Sequence, residues 1–357
     1  MSHLMRPGLF GQKHASRDYS RTDCRGKNQF NSSFPASLIA YMYSRGIKPV
    51  YIKMAGTDRI IHEYIDVKDL LGIDPLSDDA YYNFEAGFPP YEKFYQGERE
   101  KIDLVMLNNK TDETLCGLEV KLTALPDNTT RKLEEEKWGC EIVMRPPTIN
   151  FLACSICSNY NSVQQKSRLR ELLSEVPQIN HWEEVDEVLK YYPYIERAIM
   201  RVSGDMCDKQ KPLILQPIWK TDGNKMILRE DCLDAFVWSD LSIIQMCRTG
   251  EVSNIARINR YNRTLVWLYK MLLDFVTYGS FDYKRIIRLL SYNLANDKAF
   301  ALPGNRSHAF LAGNEILKPR ITKFEIKNII LGGGQNLLSP ERRFDAVLVY
   351  SPEIFKV

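Results

Sequence analysis

The chain has 357 residues, of which 44% are hydrophobic and 26% are charged, and its formal net charge is +3. This length and composition are typical of a globular protein with one large core or two smaller ones. No run approaches the roughly 18 apolar residues of a transmembrane helix. The first residues also lack the apolar stretch of a signal peptide, so we expect a cytoplasmic protein.

The cysteines and histidines give no sign of a metal-binding framework. The eight cysteines are scattered along the chain without the spacing of a small secreted protein, which predicts reduced thiols. Cys154 and Cys157 form a Cys-x-x-Cys pair, but a structural zinc site needs four ligands and no second pair follows at finger spacing. The five histidines do not cluster. Histidine-metal chemistry is therefore not expected.

The N-terminal segment is basic. Its first 27 residues contain six lysines and arginines against two aspartates, among small and polar residues. We predict a basic arm over residues 1–30 that follows a phosphate backbone, where each neutralised phosphate releases counterions. A poorly ordered terminus is the alternative. Behind the arm, a helix is expected over residues 34–43, whereas residues 51–71 mix helix and strand signals.

Two apolar segments between residues 101 and 123 carry the acids that point to chemistry. Residues 102–107 are apolar except for Asp103, as expected for a strand covered on both faces. In residues 118–122 the apolar side chains alternate, so Glu119 and Lys121 share the opposite face. The polar residues 108–113 between the segments predict a hairpin. Asp103, Glu119 and Lys121 should then converge at one end of an antiparallel pair.

These residue types suit the hydrolysis of a phosphodiester. Water attacks phosphorus in line while negative charge develops on the phosphoryl oxygens and on the departing oxygen. Mg²⁺ prefers oxygen ligands and keeps several waters beside one or two carboxylates. Asp103 and Glu119 would supply the carboxylates, with the Val120 carbonyl as a third ligand. Lys121 would stabilise the developing charge and orient or help to deprotonate the water.

An acid-x-Lys triplet is not specific by itself, because five occur in this chain. One competitor, Glu325 to Lys327, also alternates, but no apolar strand with an aspartate precedes it at hairpin distance. The other three lie in a charge run or in segments of helical spacing, where positions i and i+2 do not share a face. These are Asp66 to Lys68, Glu135 to Lys137 and Asp282 to Lys284. A solvent-facing ion pair between Glu119 and Lys121 remains the alternative.

The rest of the chain predicts helices and further strands. Residues 142–144 and 149–154 are expected to be strands of the same sheet, and residues 213–218 are another strand candidate. Residues 160–202 read as helical, and residues 233–294 as mostly helical. Strands are expected again from Ile321, including residues 346–350.

Two polar segments are candidates for reading DNA bases, which arginine, asparagine and glutamine do most often. The first lies at residues 248–263, ahead of an apolar helix, and its alternative is a solvated helix start. The second follows three glycines at residues 332–334, which permit close backbone approach. The residues predicted to contact DNA are Arg257, Arg260, Arg263, Gln335, Asn336, Arg342 and Arg343.

Asp103 followed by Glu119, Val120 and Lys121 resembles the signature of the PD-(D/E)xK nuclease superfamily, which includes many type II restriction endonucleases. Ile102 stands where that signature usually has proline. Residues 26–35, 119–127 and 338–345 extend the likeness to the HindVP group of restriction enzymes. The resemblance implies cleavage of the palindrome GRCGYC. Some superfamily members also have an accessory helix glutamate, for which Glu63 and Glu98 are candidates.

We therefore expect an α/β fold with a mixed central sheet flanked by helices and helical additions. The predicted regions are the arm at 1–30, a nuclease core at 31–220, and a region at 221–357 for DNA recognition and dimerisation, packed on the core. The expected activity is Mg²⁺-dependent cleavage of double-stranded DNA at a short palindrome, leaving 5′-phosphates. Expected partners are a second copy of the chain, because a palindrome matches two-fold symmetry, and a cognate DNA methyltransferase. A repair or recombination nuclease and a non-catalytic DNA-binding protein are the alternatives.

Overall fold

The computed structural model describes residues 27–121, 123–125, 142–222, 225–248, 257–292, 294, 299–302 and 320–326. The helices in these ranges are α1 (Lys27–Ser44), α2 (Val67–Leu71), α3 (Pro89–Glu92), α4 (Pro146–Asn159), α5 (Val163–Leu173), α6 (Val185–Asp205), α7 (Asp240–Cys247), α8 (Arg260–Tyr278) and α9 (Tyr283–Leu289). The strands are β1 (Val50–Ala55), β2 (Arg59–Tyr64), β3 (Ala80–Gly87), β4 (Lys101–Asn108), β5 (Glu113–Val120), β6 (Thr123–Leu125), β7 (Ile142–Met144), β8 (Pro212–Asp222), β9 (Lys225–Ser239), β10 (Phe300–Leu302) and β11 (Ile321–Thr322).

A mixed sheet of nine strands organises the molecule. Its main path runs β2-β1-β9-β8-β5-β4-β3, with β11 added to β9 and β6 added to β8. Strand β5 runs parallel to β8, and β1 runs parallel to β9, whereas β8 with β9 and β4 with β5 are antiparallel. The predicted α/β class with a mixed central sheet is confirmed.

Both faces of the sheet are covered by helices. Helices α4, α6, α7 and α8 contribute to the larger core, which includes Phe151, Ile199 and Trp267. Helices α1 and α2 cover the other face, in a core that includes Leu38 and Leu71. This two-sided burial explains why strands β4 and β8 are apolar over most of their length. No helix in the described part of the chain is long and apolar enough to cross a bilayer.

Local signals explain where several helices begin and end. Pro146 and Pro147 occupy the first turn of α4, where proline needs no N–H partner and its backbone angle already suits a helix. The side chain of Asn259 accepts a hydrogen bond from the N–H of Asn262 at the start of α8. The same helix ends at Gly279, whose φ of 86° is the left-handed conformation that glycine adopts without strain.

The structure corrects three sequence predictions. Residues 149–154 lie in helix α4 and not in a strand; because residues 148–157 are all buried, their apolar run has no exposed face to show a helical period. Strand β7 pairs with β10 in a separate two-stranded sheet. Residues 233–239 belong to strand β9, which is central in the main sheet. The predicted boundary at residue 220 thus falls within the β8–β9 pair.

Candidate active site

Strands β4 and β5 form the predicted hairpin. They pair antiparallel, with Leu104 opposite Leu118 and Val105 opposite Gly117. In the turn, the side-chain oxygen of Asn108 accepts a hydrogen bond from the N–H of Lys110 at 2.9 Å. The polar turn therefore closes the hairpin at one end, and Asp103 and Glu119 lie toward the opposite end.

Asp103 lies where the regular pairing of the hairpin stops. The last paired residues toward this end are Leu104 and Leu118. Beyond them, the N–H of Val120 donates to Oδ2 of Asp103 at 2.8 Å. The carboxylate thus takes the place of a main-chain acceptor between the two strands. This bond fixes one oxygen of Asp103 beside the backbone of residue 120.

Glu119 and Lys121 meet at the same end of the hairpin. The Nζ atom of Lys121 lies 2.5 Å from Oε1 of Glu119, and the two side chains retain 16% and 17% of their exposure, so solvent reaches both. Strand β8 supports them from the other side, since Glu119 pairs with Ile214. The N–H of Lys121 also donates to the carbonyl of Leu215 at 2.9 Å. The structure therefore brings together the residues that the sequence pattern singled out.

The electrostatics of Asp103 reflect burial beside like charges. The pKa of Asp103 is raised to about 7, first by burial and then by the negative charge of Glu119, while Lys121 and the N–H of Val120 oppose the change. The carboxylate of Glu85 also contributes to the rise in the pKa of Asp103. A cation placed among these groups would relieve the same repulsion. The site is thus built to favour an added positive charge.

Glu85 is the residue that sequence reasoning missed. In the β3–β4 pair Phe84 faces Leu104 and Ala86 faces Ile102, so Glu85 stands opposite Asp103. The backbone of Glu85 has a φ of 45°, in the left-handed region that glutamate seldom adopts. A usable signal was present, because Glu85 is the one acid between residues 80 and 88, as Asp103 is in its own strand.

The two accessory carboxylates predicted from the family resemblance lie elsewhere. Glu63 is on strand β2, at the far edge of the sheet, where it pairs with Lys53 at 3.3 Å. It is therefore on a strand, and not on the helix that was expected. Glu98 is 87% exposed and pairs with Lys284 at 2.8 Å. Neither residue stands opposite Asp103 in the sheet.

The competing acid-x-Lys triplets are not arranged like Glu119 and Lys121. Glu325 lies in a helical turn at residues 323–326 and accepts a hydrogen bond from Tyr41. Asp66 and Asp282 are N-caps of α2 and α9. The triplet at residues 135–137 falls outside the described residues.

The donor set suits a hard divalent cation with a large share of water ligands. Within the described ranges, no three side chains of His, Cys, Asp or Glu lie close enough to share one ion. The candidate oxygen donors at this end of the hairpin are the carboxylates of Asp103 and Glu119 and the carbonyl of Val120, whose N–H bonds to Asp103. Mg²⁺ is held in this way in many proteins, since it keeps several waters and needs few carboxylates.

The arginines expected to contact DNA occupy different environments. Arg257 is exposed and Arg260 is partly exposed, ahead of and at the start of α8. Arg263 is only 1% exposed. Its guanidinium donates to the carbonyls of Ser291 and Leu294 at 3.2 Å and lies over the ring of Trp267. Arg263 is therefore tied into the interior, and we do not retain it as a DNA contact. Gln335, Asn336, Arg342 and Arg343 lie outside the described residues.

Comparison with known proteins supplies the family. A family model described as HindVP restriction endonuclease matches residues 25–355. The chain belongs to this family. The type II restriction enzyme HgiDI of Herpetosiphon aurantiacus is 39% identical over 355 residues, covering 99% of this chain and 98% of that protein. The probable type II restriction enzyme HindVP of Haemophilus influenzae is 39% identical over 358 residues, covering 99% and 96%. No solved structure matches the chain.

Membership of the HindVP family makes this chain a restriction endonuclease, a site-specific deoxyribonuclease that acts on DNA in a restriction-modification system. The resemblance inferred from residues 26–35, 119–127 and 338–345 is confirmed, since the match spans nearly the whole chain. Asp103, Glu119 and Lys121 lie within the matched region.

Proposed function

We propose that this HindVP-family chain is a Mg²⁺-dependent type II restriction endonuclease whose catalytic residues are Asp103, Glu119 and Lys121. The observation that carries the proposal is the meeting of these side chains at one end of the β4–β5 hairpin, where Val120 bonds to Asp103 and Lys121 contacts Glu119. Family membership supports the same reaction class. A repair nuclease or a DNA-binding protein without activity would leave that membership unexplained.

The acids and the intervening carbonyl would hold the cation. Asp103 and Glu119 offer one carboxylate each, and the carbonyl of Val120 lies between Glu119 and Lys121 along the chain. When bound, Mg²⁺ supplies positive charge that neutralises the phosphoryl oxygens and the departing oxygen. The N–H of Val120 holds Asp103 in position, so the carboxylate is oriented before substrate arrives.

Lys121 would act on water and on the phosphate. Its ammonium group is anchored by Glu119 at 2.5 Å, which directs it into the site. From there it can orient the attacking water and stabilise the charge that builds on phosphorus. In-line attack by water forms a new P–O bond while the bond from phosphorus to the 3′ oxygen breaks. One proton of the water ends on the departing 3′ oxygen, which becomes a hydroxyl. The products are a 5′-phosphate and a 3′-hydroxyl.

Recognition and assembly complete the proposal. A short palindromic target, for which the family resemblance implies GRCGYC, is matched by a homodimer with one site for each strand. Arg257 ahead of α8 and Arg260 at its start are candidate DNA contacts, together with Gln335, Asn336, Arg342 and Arg343. A cognate methyltransferase would protect the same sequence in the host, and both enzymes would work in the cytoplasm.

Digestion of plasmid DNA tests the function directly. Purified chain with Mg²⁺ should cut a plasmid into discrete fragments, and sequencing of their ends should give one palindrome with 5′-phosphates. A smear would favour a repair nuclease, whereas intact DNA with a retained gel shift would favour binding alone. Replacement of Mg²⁺ by EDTA should stop cleavage. Asp103→Asn should weaken Mg²⁺ binding, and an unchanged titration would count against its role as a ligand.

A further inference from the structure

In strands β3 and β4 the side-chain alternation shifts from one face of the sheet to the other, at Glu85 and at Asp103. In a regular strand Ile102 and Leu104 would contact the same core, because side chains alternate with period two. Instead Leu104 packs in the core beneath α1 and α2, whereas Ile102 packs in the larger core on the other face. In β3, Tyr82 and Ala86 are divided between the cores in the same way. The change of face falls at the paired residues Glu85 and Asp103.

This change of face occurs at Glu85, so that a third acid lies beside the proposed cation site. Glu85 lies on the neighbouring strand, opposite Asp103, and it is only partly buried. Its φ of 45° departs from the extended backbone of the residues around it. Glu85, Asp103 and Glu119 thus lie on three adjacent strands.

We propose that Glu85 acts from β3 on the waters of the bound ion, outside its direct ligands, and raises the affinity of the site for a divalent cation. The inference rests on the proposed function of Asp103 and Glu119. Direct ligation is not required, because Mg²⁺ keeps several of its waters and a nearby carboxylate can accept hydrogen bonds from them.

The experiment measures cation affinity without DNA and without turnover. Mn²⁺ is titrated into the full chain by isothermal titration calorimetry, and the wild type is compared with Glu85→Gln, which keeps the size of the side chain and removes its charge. We expect affinity to fall about tenfold, as loss of one unit charge near a divalent ion implies at a partly screened site. Glu85→Asn provides a second neutral variant that suits the left-handed backbone and should show the same loss.

Glu113→Gln is the matched control. Glu113 is an exposed acid at the other end of strand β5, so the variant makes the same chemical change far from Asp103. Its Mn²⁺ affinity should stay at the wild-type value. The inference is overturned if both folded Glu85 variants bind Mn²⁺ as the wild type does, or if Glu113→Gln loses as much affinity.

The proposed function fails in a different way. A wild-type titration without saturable binding, or an Asp103→Asn variant with unchanged affinity, would remove the cation site itself. Loss of binding in Asp103→Asn with no loss in the Glu85 variants would instead retain the site and reject only the role of Glu85. Thermal unfolding of each variant shows whether it is folded.

Discussion

Asp103, which is partly buried, and Asp240, which is fully buried, have pKa values raised first by burial and yet differ in their surroundings. Burial raises the pKa of Asp103 to about 7 and that of Asp240 to about 6. Asp240, at the start of α7, accepts hydrogen bonds from Ser155 at 2.6 Å and from the N–H of Lys211 at 3.1 Å. Asp103 accepts one from Val120 and lies beside the like charges of Glu119 and Glu85.

The difference shows what distinguishes a functional acid from a structural one. Donors surround Asp240, and the ammonium of Lys211 provides a positive charge, so its environment is complete within the protein. Around Asp103 two carboxylates outnumber the single ammonium of Lys121, and an added cation would balance the excess negative charge. Burial alone therefore does not identify an active site. The sign of the neighbouring charges does.

Lys121→Ala should give the largest effect at the site. We expect kcat to fall by about 10²- to 10³-fold, because loss of a group that stabilises transition-state charge costs that much in other enzymes. DNA affinity, measured by gel shift with Ca²⁺, should change by less than about fivefold, since one lysine contributes little to a large interface. Single-turnover cleavage of a plasmid or an oligonucleotide provides the rate.

Lys110→Ala is the control for Lys121→Ala. Lys110 is exposed in the turn at the opposite end of the same hairpin, so its removal deletes an equal charge from the same element. That variant should cleave at the wild-type rate. Normal turnover by Lys121→Ala would reject the assignment of Lys121.

The second prediction concerns stability around Asp240. Its folded pKa of about 6 lies above the ordinary value of 3.8, so the folded state holds the proton more tightly than the unfolded chain does. The free energy of unfolding should therefore decrease as pH rises from about 4 to about 6, by at most about 3 kcal/mol. Asp240→Asn has no such titration. Its stability relative to the wild type should rise over that window.

Chemical denaturation at pH 4.5 and pH 7.5 measures this change. Asp208→Asn serves as the reference, because Asp208 is exposed on the turn after α6. Its substitution should change the free energy of unfolding by the same amount at both pH values. If the free energies of unfolding of the wild type and Asp240→Asn differ by the same amount at both pH values, the pKa of Asp240 is not raised by folding.

Asp103 and Asp240 also differ in how far their surroundings could be predicted from the sequence. The convergence of Asp103, Glu119 and Lys121 was predictable because a hairpin and strand alternation are local features. Glu85 was missed because its position depends on the pairing of β3 with β4. It also depends on a change of face that breaks the alternation of side chains along the strand. Asp240 was missed for a related reason, since Ser155 and Lys211 are distant along the chain.

The helical part was predictable where one face of a helix is exposed. Residues 160–202 gave the amphipathic pattern of α5 and α6, which the structure confirms, although the connection at residues 174–184 is not helical. Residues 149–154 did not, because α4 is buried on all sides and its apolar run resembles a central strand. Arg263 was assigned to DNA because the polar start of α8 does not reveal which arginine turns inward.

The third prediction sharpens the description of Asp240 as a satisfied acid. Ser155→Ala removes its shortest hydrogen bond and should destabilise the fold by about 1–3 kcal/mol, since a buried carboxylate is left short of a donor. The loss should be larger at pH 7.5 than at pH 4.5, because the hydroxyl stabilises the charged form. Denaturation at both pH values measures it. Ser174→Ala, at an exposed helix end, should cost much less.

The smallest expected effect concerns Arg257. Like the two aspartates, Arg257 and Arg263 share one charged group but differ in their surroundings. Arg263 is balanced inside the protein by carbonyl oxygens, whereas Arg257 is exposed and forms no ion pair with a described residue. If Arg257 contacts a phosphate, Arg257→Ala should weaken DNA binding about three- to tenfold and reduce the slope of log affinity against log salt by about one. Binding is measured with Ca²⁺ between low and moderate salt.

The control for Arg257→Ala is Arg59→Ala, which removes an exposed arginine from edge strand β2. It should leave the salt slope unchanged, because β2 lies at the far side of the sheet from Asp103. Equal slopes for the wild type and Arg257→Ala would exclude Arg257 from the phosphate contacts. A change confined to one DNA sequence, at constant slope, would instead assign Arg257 to a base, because base contacts discriminate sequences whereas phosphate contacts weaken all of them alike.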